Sequence, residues 1–157
     1  MRQLAPEPWR IRRMTADDLP GVMDIERVAF SNPWTLEMVK KELTQDWSTI
    51  LLAEEPSAAG GWKVLGFSIF WLVADEIHVL NVATEQAQRR RGIGRAVMEA
   101  TLGYGRTHRC RIASLEVRRG NVAAIGMYQA LGFKAVGMRP NYYTDDREDA
   151  VVMVMDL

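Results

Sequence analysis

The chain has 157 residues, 48% of them hydrophobic and 25% charged. That suits one globular domain over residues 1–157, with a sizeable core and no room for a second domain of ordinary size. Twenty basic residues balance twenty acidic ones, so net charge gives no general pull towards nucleic acid or a membrane. The single cysteine, Cys110, excludes a disulfide framework, and neither a signal peptide nor a membrane-spanning run is evident. A soluble cytoplasmic protein is expected.

Alternation over residues 9–14 predicts a short first strand. Thr15 is a suitable N-cap for a helix running to Phe30, with Asp17 and Asp18 in its first turn. Ser31-Asn32-Pro33 ends it, and Thr35 opens a second helix through Leu36, Val39 and Leu43. Three strand-like runs follow, at residues 48–55, 62–73 and 76–84, the first two joined by a Gly-rich turn as an antiparallel hairpin. Helical spacing returns through Ile93, Val97, Ala100 and Tyr104. Residues 111–117 make a strand, 121–133 a helix stopped by Gly132, and 133–143 and 148–157 two closing strands. The expected class is α/β: a mixed, mostly antiparallel central sheet of about seven strands flanked by about four helices.

Charge is unevenly spread. Between Arg89 and Arg119 nine arginines face only two acids, Glu99 and Glu116. The densest stretch, QRRRGIGRA at 88–96, admits three readings: a basic patch for nucleic acid, a dinucleotide fingerprint, or a phosphate cradle for another ligand. A G-x-G-x-x-G fingerprint fails because Val97 stands where the third glycine belongs, and no Gly-Lys-Ser/Thr of a Walker loop follows. No aromatics are interleaved for direct nucleic-acid binding. Glycines at a helix start, where N–H groups are unpaired and the dipole is positive, suit a pyrophosphate. A plain solvated turn fits the segment taken alone.

Farther on, strand alternation sets Ser114, Glu116 and Arg118 on one face. Asn121, Ala124, Ile125 and Tyr128 share one side of the next helix, a stripe expected to pass beside the face that carries Glu116. Together these residues resemble the GCN5-related N-acetyltransferase family. Arg89, Gly92 and Gly94 match its R-x-x-G-x-G motif, and Asn121, Ala124, Tyr128, Gly132 and Phe133 match N-x-x-A-x-x-x-Y-x-x-x-G-F. Leu115–Arg118, Asn141–Tyr143 and Arg147–Ala150 look like the branch that acetylates the N-terminal alanine of ribosomal protein S18. Asp18–Pro20, Ile25–Arg27 and Pro33-Trp34 extend the likeness to the first helices.

The resemblance implies acetyl-CoA as co-substrate. Val82, Ala83 and Thr84 would pair through their backbone with the pantetheine arm. Arg89, Arg90, Arg91, Gly92, Ile93, Gly94 and Arg95 would wrap the pyrophosphate, and Asn121 would hold the arm near the thioester. Glu116 would be the general base and Tyr128 the general acid. Trp34, Tyr142 and Tyr143 would line the groove for a protein N-terminus. The chain departs from the family at Thr84-Glu85, where Asp-Pro is common, and at Gly120, where Ser is common.

The chemistry is consistent with this. At pH 7 roughly a tenth of α-amines are neutral and able to attack a thioester, against fewer than about one lysine in a thousand. A carboxylate of ordinary pKa, about 4.3, is a weak base for the task, with full transfer uphill by ~5 kcal/mol. His78 and His108 read as poor catalytic candidates, and with one cysteine they build no metal site. Cys110 has no implied partner for a covalent route, so direct transfer in a ternary complex is expected. Other N-termini, lysines or small amines as acceptors, and a non-catalytic acyl-CoA sensor, are the alternatives.

Overall fold

A computed structural model describes residues 9–157. Among them seven strands form one sheet: β1 Arg10–Arg13, β2 Ser48–Pro56, β3 Trp62–Val73, β4 Glu76–Thr84, β5 Ile112–Arg118, β6 Lys134–Arg139 and β7 Ala150–Asp156. Four helices flank it: α1 Leu19–Ala29, α2 Leu36–Glu42, α3 Ile93–Thr107 and α4 Val122–Leu131. The strand order is β1-β2-β3-β4-β5-β7-β6, and every pairing is antiparallel except β4 with β5. The expected mixed α/β sheet is the one observed. Among the described residues no helix is long and apolar enough to cross a membrane.

Local chemistry sets most boundaries. Thr35 caps α2 by accepting from the Met38 amide at 3.2 Å. Gly132 closes α4 in the left-handed conformation, φ +112°. Two expectations need correction. Thr15 is the N-cap as expected, in a capping box whose Asp18 accepts from the Thr15 amide at 2.8 Å, but the first turn is 3-10 and α1 begins only at Leu19. β6 stops at Arg139 rather than Tyr143, because Pro140 brings no N–H to the ladder and Asn141 takes φ +51°.

While β6 at its edge is exposed, the centre of the sheet is buried on both faces. α1 and α2 cover one through Val22, Met23, Ile25 and Val39, which pack on Ile50, Leu52, Phe67 and Ile69. α3 and α4 cover the other through Met98, Leu102 and Tyr128, which pack on Phe70, Ile77, Val79 and Leu115.

Two irregularities in β4 open a crevice in the sheet and decide which side chains border it. Leu80 is a bulge: Ile69 pairs with Asn81 and Phe70 with Val79, leaving Leu80 unmatched. The extra residue inverts the alternation. Ile77 and Val79 face α3, while Asn81 and Ala83 face α1. In addition, β4 and β5 pair over only four rungs, from Glu76↔Ile112 to Val79↔Leu115. Beyond that point β4 keeps β3 and β5 keeps β7, but the two parallel strands separate. A crevice at the carboxyl ends of parallel strands is the usual ligand position in such sheets.

Candidate active site

The crevice is roofed by the start of α3. Gly92, at φ +81°, is its N-cap, and no side chain caps the helix. The first-turn amides of Ile93, Gly94 and Arg95 therefore lack an intrahelical acceptor and carry the positive end of the helix dipole. Gly94 lies close to both walls. A Cβ there would sit 3.3 Å from Thr84 Oγ1 on β4 and 3.6 Å from Met127 on α4. Nothing lies within 4 Å of the corresponding point on Gly92. The backbone thus offers an open, amide-lined surface at the end of β4, where Val82, Ala83 and Thr84 bond to β3 alone. That donor set fits a pyrophosphate followed by an amide-bearing arm.

The arginines of this stretch divide. Arg91 is turned away to Glu55, at 2.9 and 3.1 Å, and to Gln88, with its guanidinium beside the Trp9 ring. Arg95 pairs with Glu99 one turn along α3 at 3.0 Å. Arg89 and Arg90 make no ion pair among the described residues, and Arg90 takes φ +69° beside the helix start.

Glu116 and Tyr128 approach the crevice from different sides. Glu116 is only 12% exposed and lies on the face away from α3 and α4. Tyr128 belongs to the α3–α4 core, edge-on to Phe133. The expectation that the Tyr128 stripe runs beside the Glu116 face is thus corrected: α4 packs beneath Leu115 and Val117, on the other face of β5. Burial, with a smaller contribution from nearby Tyr143, pushes the Tyr128 phenol up to about 12. It stays a protonated donor throughout the physiological range.

Both Glu116 oxygens are engaged. Oε2 lies 2.8 Å from Nε2 of His78, and Oε1 lies 3.5 Å from Nε of Arg139 on β6. Sequence reasoning sets His78 aside as a strand residue among apolar neighbours. The parallel register brings it in: His78 pairs with Ser114, and Glu116 stands two residues farther on the same face. Alternation on two parallel strands is the signal that could have found it.

Two loops border this face. After α1, the Trp34 amide donates to Glu26 Oε2 at 3.0 Å, and Asn81 Nδ2 donates to Glu26 Oε1 at 2.6 Å. Glu26 is 1% exposed, and burial raises its carboxyl pKa against the lowering by these two bonds. The Trp34 ring packs on the α1–α2 core. Between β6 and β7, Tyr142 and Tyr143 stack edge to face at 5.1 Å. Arg118, on the Glu116 face of β5, lies 4.0 Å over the Tyr143 ring and pairs with Asp145, Asp146 and Glu148. Ser31 Oγ reaches Asp145 at 3.4 Å and ties the two loops together.

Asn121 caps α4, accepting from the Ala124 amide at 3.2 Å. Its neighbour explains one departure from the family pattern. A Cβ on Gly120 would stand 2.8 Å from Glu148 Oε2, which accepts from the Gly120 amide at 2.7 Å. Among the described residues no group of His, Cys, Asp and Glu is arranged to hold a metal. Cys110 is buried.

A sheet parted between β4 and β5, with an uncapped glycine-led helix over the gap, is the architecture of acyl-CoA-dependent N-acetyl transfer. The chain belongs to the acetyltransferase (GNAT) family, whose sequence model matches residues 19–133, and it is an acetyl-CoA-dependent N-acetyltransferase. It is similar to the Escherichia coli (strain K12) ribosomal protein bS18-alanine N-acetyltransferase, 32% identical over 149 residues, 94% of this chain and 97% of that protein. A Bacillus subtilis (strain 168) protein named as a putative enzyme of the same kind is 31% identical over 144 residues, covering 91% of this chain and 92% of its own. The crystal structure of the Escherichia coli ribosomal-protein-S18-alanine N-acetyltransferase superposes with a TM-score of 0.84, covering 94% of this chain and 93% of that one at 31% identity.

Proposed function

We propose that this chain is a cytoplasmic enzyme that acetylates the N-terminal alanine of ribosomal protein S18, by direct transfer in a ternary complex. The observation that carries the proposal is the pair Glu116 and Tyr128, a partly buried carboxylate and a protonated phenol on the two sides of one crevice. Acetyl-CoA supplies an activated acyl thioester.

The amides of Gly92, Ile93, Gly94 and Arg95 bind its pyrophosphate, assisted by the side chains of Arg89 and Arg90. Arg91 and Arg95 act chiefly through the backbone, since their guanidiniums hold Glu55 and Glu99. The β4 edge at Val82, Ala83 and Thr84 hydrogen-bonds the pantetheine amides, and the Asn121 side chain steadies the arm. Trp34, Tyr142 and Tyr143 border the acceptor groove. Glu116 draws the α-ammonium and promotes loss of its proton, and the Tyr128 hydroxyl protonates the departing sulfur. An α-amine is the easier nucleophile by ~3 kcal/mol over a lysine at pH 7.

A peptide panel tests this. It varies only the first residue of an S18-like N-terminus and includes an internal lysine acceptor, with products read by mass spectrometry. The alanine peptide is expected to be acetylated on its α-amine. Turnover of a small polyamine or aminoglycoside with none of that peptide overturns the acceptor and keeps the family.

A further inference from the structure

We infer that Glu116 does not act as a lone base: it and His78 form a two-group base, and the acceptor's proton comes to rest on the His78 imidazole. The inference rests on the reading of Glu116 given above and deepens it.

The geometry is specific. His78 Nε2 lies 2.8 Å from Glu116 Oε2, His78 standing on the third of the four β4–β5 rungs and Glu116 one residue past the last. With Nε2–H donating to the carboxylate, Nδ1 is left as an acceptor, and it has no hydrogen bond among the described residues. The His78 side chain is 38% exposed against 12% for Glu116, so the pair runs from the crevice towards solvent. The charged and titratable groups around it are Arg139 from β6, Arg118 from β5, Tyr143 from the β6–β7 loop, Glu76 two residues along β4, and Glu42 of α2. Glu42 bonds Trp71, which stands directly opposite His78 on β3. The imidazole and Arg139 hold the two Glu116 oxygens in place, and the carboxylate is set to draw in an ammonium.

An imidazole is the better keeper. Transfer from an α-ammonium to an ordinary carboxylate is uphill by about 3.5 pK units, and to an ordinary imidazole by only about 1.3. The imidazolium so formed keeps its Nε2–H on the Glu116 carboxylate. The α-ammonium loses one N–H proton, which passes through solvent to Nδ1, leaving carboxylate and imidazolium bonded through Nε2–H. The freed amine forms the N–C bond as the C–S bond breaks. Tyr128 gives its proton to sulfur and recovers the one leaving the new amide nitrogen, and His78 then returns its proton to solvent.

His78→Gln separates the functions, because a carboxamide N–H still donates to Glu116 but takes up no proton. The expected result is a fall in kcat of tenfold or more at pH 7, with KM for acetyl-CoA unchanged. The deficit shrinks above about pH 9, where solvent has already deprotonated the α-amine. Free imidazole restores rate to His78→Ala. A kcat and pH profile equal to the unsubstituted enzyme's overturns the inference.

A second arm needs no acceptor. The chain has two histidines, so His78 is readily followed by NMR, and its ring resonances should move in Glu116→Gln, which exchanges the carboxylate bonded to Nε2. No movement overturns the pairing. The kinetic arm uses whichever amine the enzyme acetylates fastest. Loss of the S18 acceptor with a surviving His78-dependent limb therefore removes the substrate reading and keeps the two-group base.

Discussion

Tyr128 and Glu116 are separated by the sheet itself. Tyr128 rises from the core beneath β5, and Glu116 stands on the opposite face of that strand. The two faces open onto each other only where β4 and β5 part, and under the proposed mechanism the two groups keep separate tasks. Tyr128→Phe should lower kcat about 10²-fold while leaving acetyl-CoA binding intact. Because burial holds the phenol at about 12, the protonated form persists well past neutrality. The kcat profile should therefore show no basic limb from this group below about pH 11. Steady-state rates from pH 8 to 10.5 check this, and an unchanged rate in the phenylalanine variant counts against the acid role.

Arg118 fixes the β6–β7 loop. It stacks on Tyr143 and bonds both carboxylate oxygens of Asp145 through one nitrogen and of Asp146 through the other. Arg118→Ala should raise the peptide KM about tenfold, the equivalent of one lost charge-assisted bond, and leave the KM of acetyl-CoA in place. Lysine should not rescue it, since a single ammonium cannot span two carboxylates and a ring.

Glu26 joins the other loop to the bulged strand, accepting from Trp34 N and Asn81 Nδ2. Glu26→Gln turns an N–H against one of these donors and should weaken peptide binding and stability together, the latter by about 1–3 kcal/mol. Asn81→Asp should do likewise by setting two carboxylates side by side. The double exchange restores complementarity, since the carboxylate introduced on β4 would accept from the amide introduced on α1, and it should recover most of both losses. Additive losses in the double variant would show that the hydrogen bonds are immaterial.

Acid stability should depend on Arg12. Its guanidinium bonds Asp18 at 2.7 and 2.9 Å and Glu54 at 2.7 and 2.9 Å, tying β1 to the 3-10 turn and to β2. These bonds hold both carboxyls below their ordinary range. Carboxyls depressed in the folded state contribute stability that is present above their unfolded pKa values and lost as pH falls through the folded ones. Arg12→Met should therefore cost about 2 kcal/mol at pH 7 and much less at pH 3. Urea melts at the two pH values measure the difference, and an equal loss at both would contradict it.

Much of this was legible in the residues. Thr35, Gly92 and Gly132 mark helix ends through chemistry confined to a few neighbouring positions, and the structure keeps all three. The alternation that put Glu116 and Arg118 on one face also held. What stayed hidden depends on partners distant in sequence. The Leu80 bulge exists only against Ile69 and Phe70, and without it Asn81 would not face Glu26. His78 looked inert because its significance lies in a register with residues more than thirty positions away. The division of the arginines was equally non-local, since Arg91 is claimed by Glu55 on β2.

The four rungs between β4 and β5 also say something about assembly. They divide the sheet into two antiparallel halves, residues 10–84 and 112–156, each paired within its own stretch of chain. Only the crossover through α3 brings the halves into one sheet, and such non-local parallel pairing is the slow kind. His78 belongs to the first half and Glu116 to the second. A chain with either half complete still has no assembled pair, so enzymatic competence arrives with the last join, and recovery of activity during refolding times the closing of that seam.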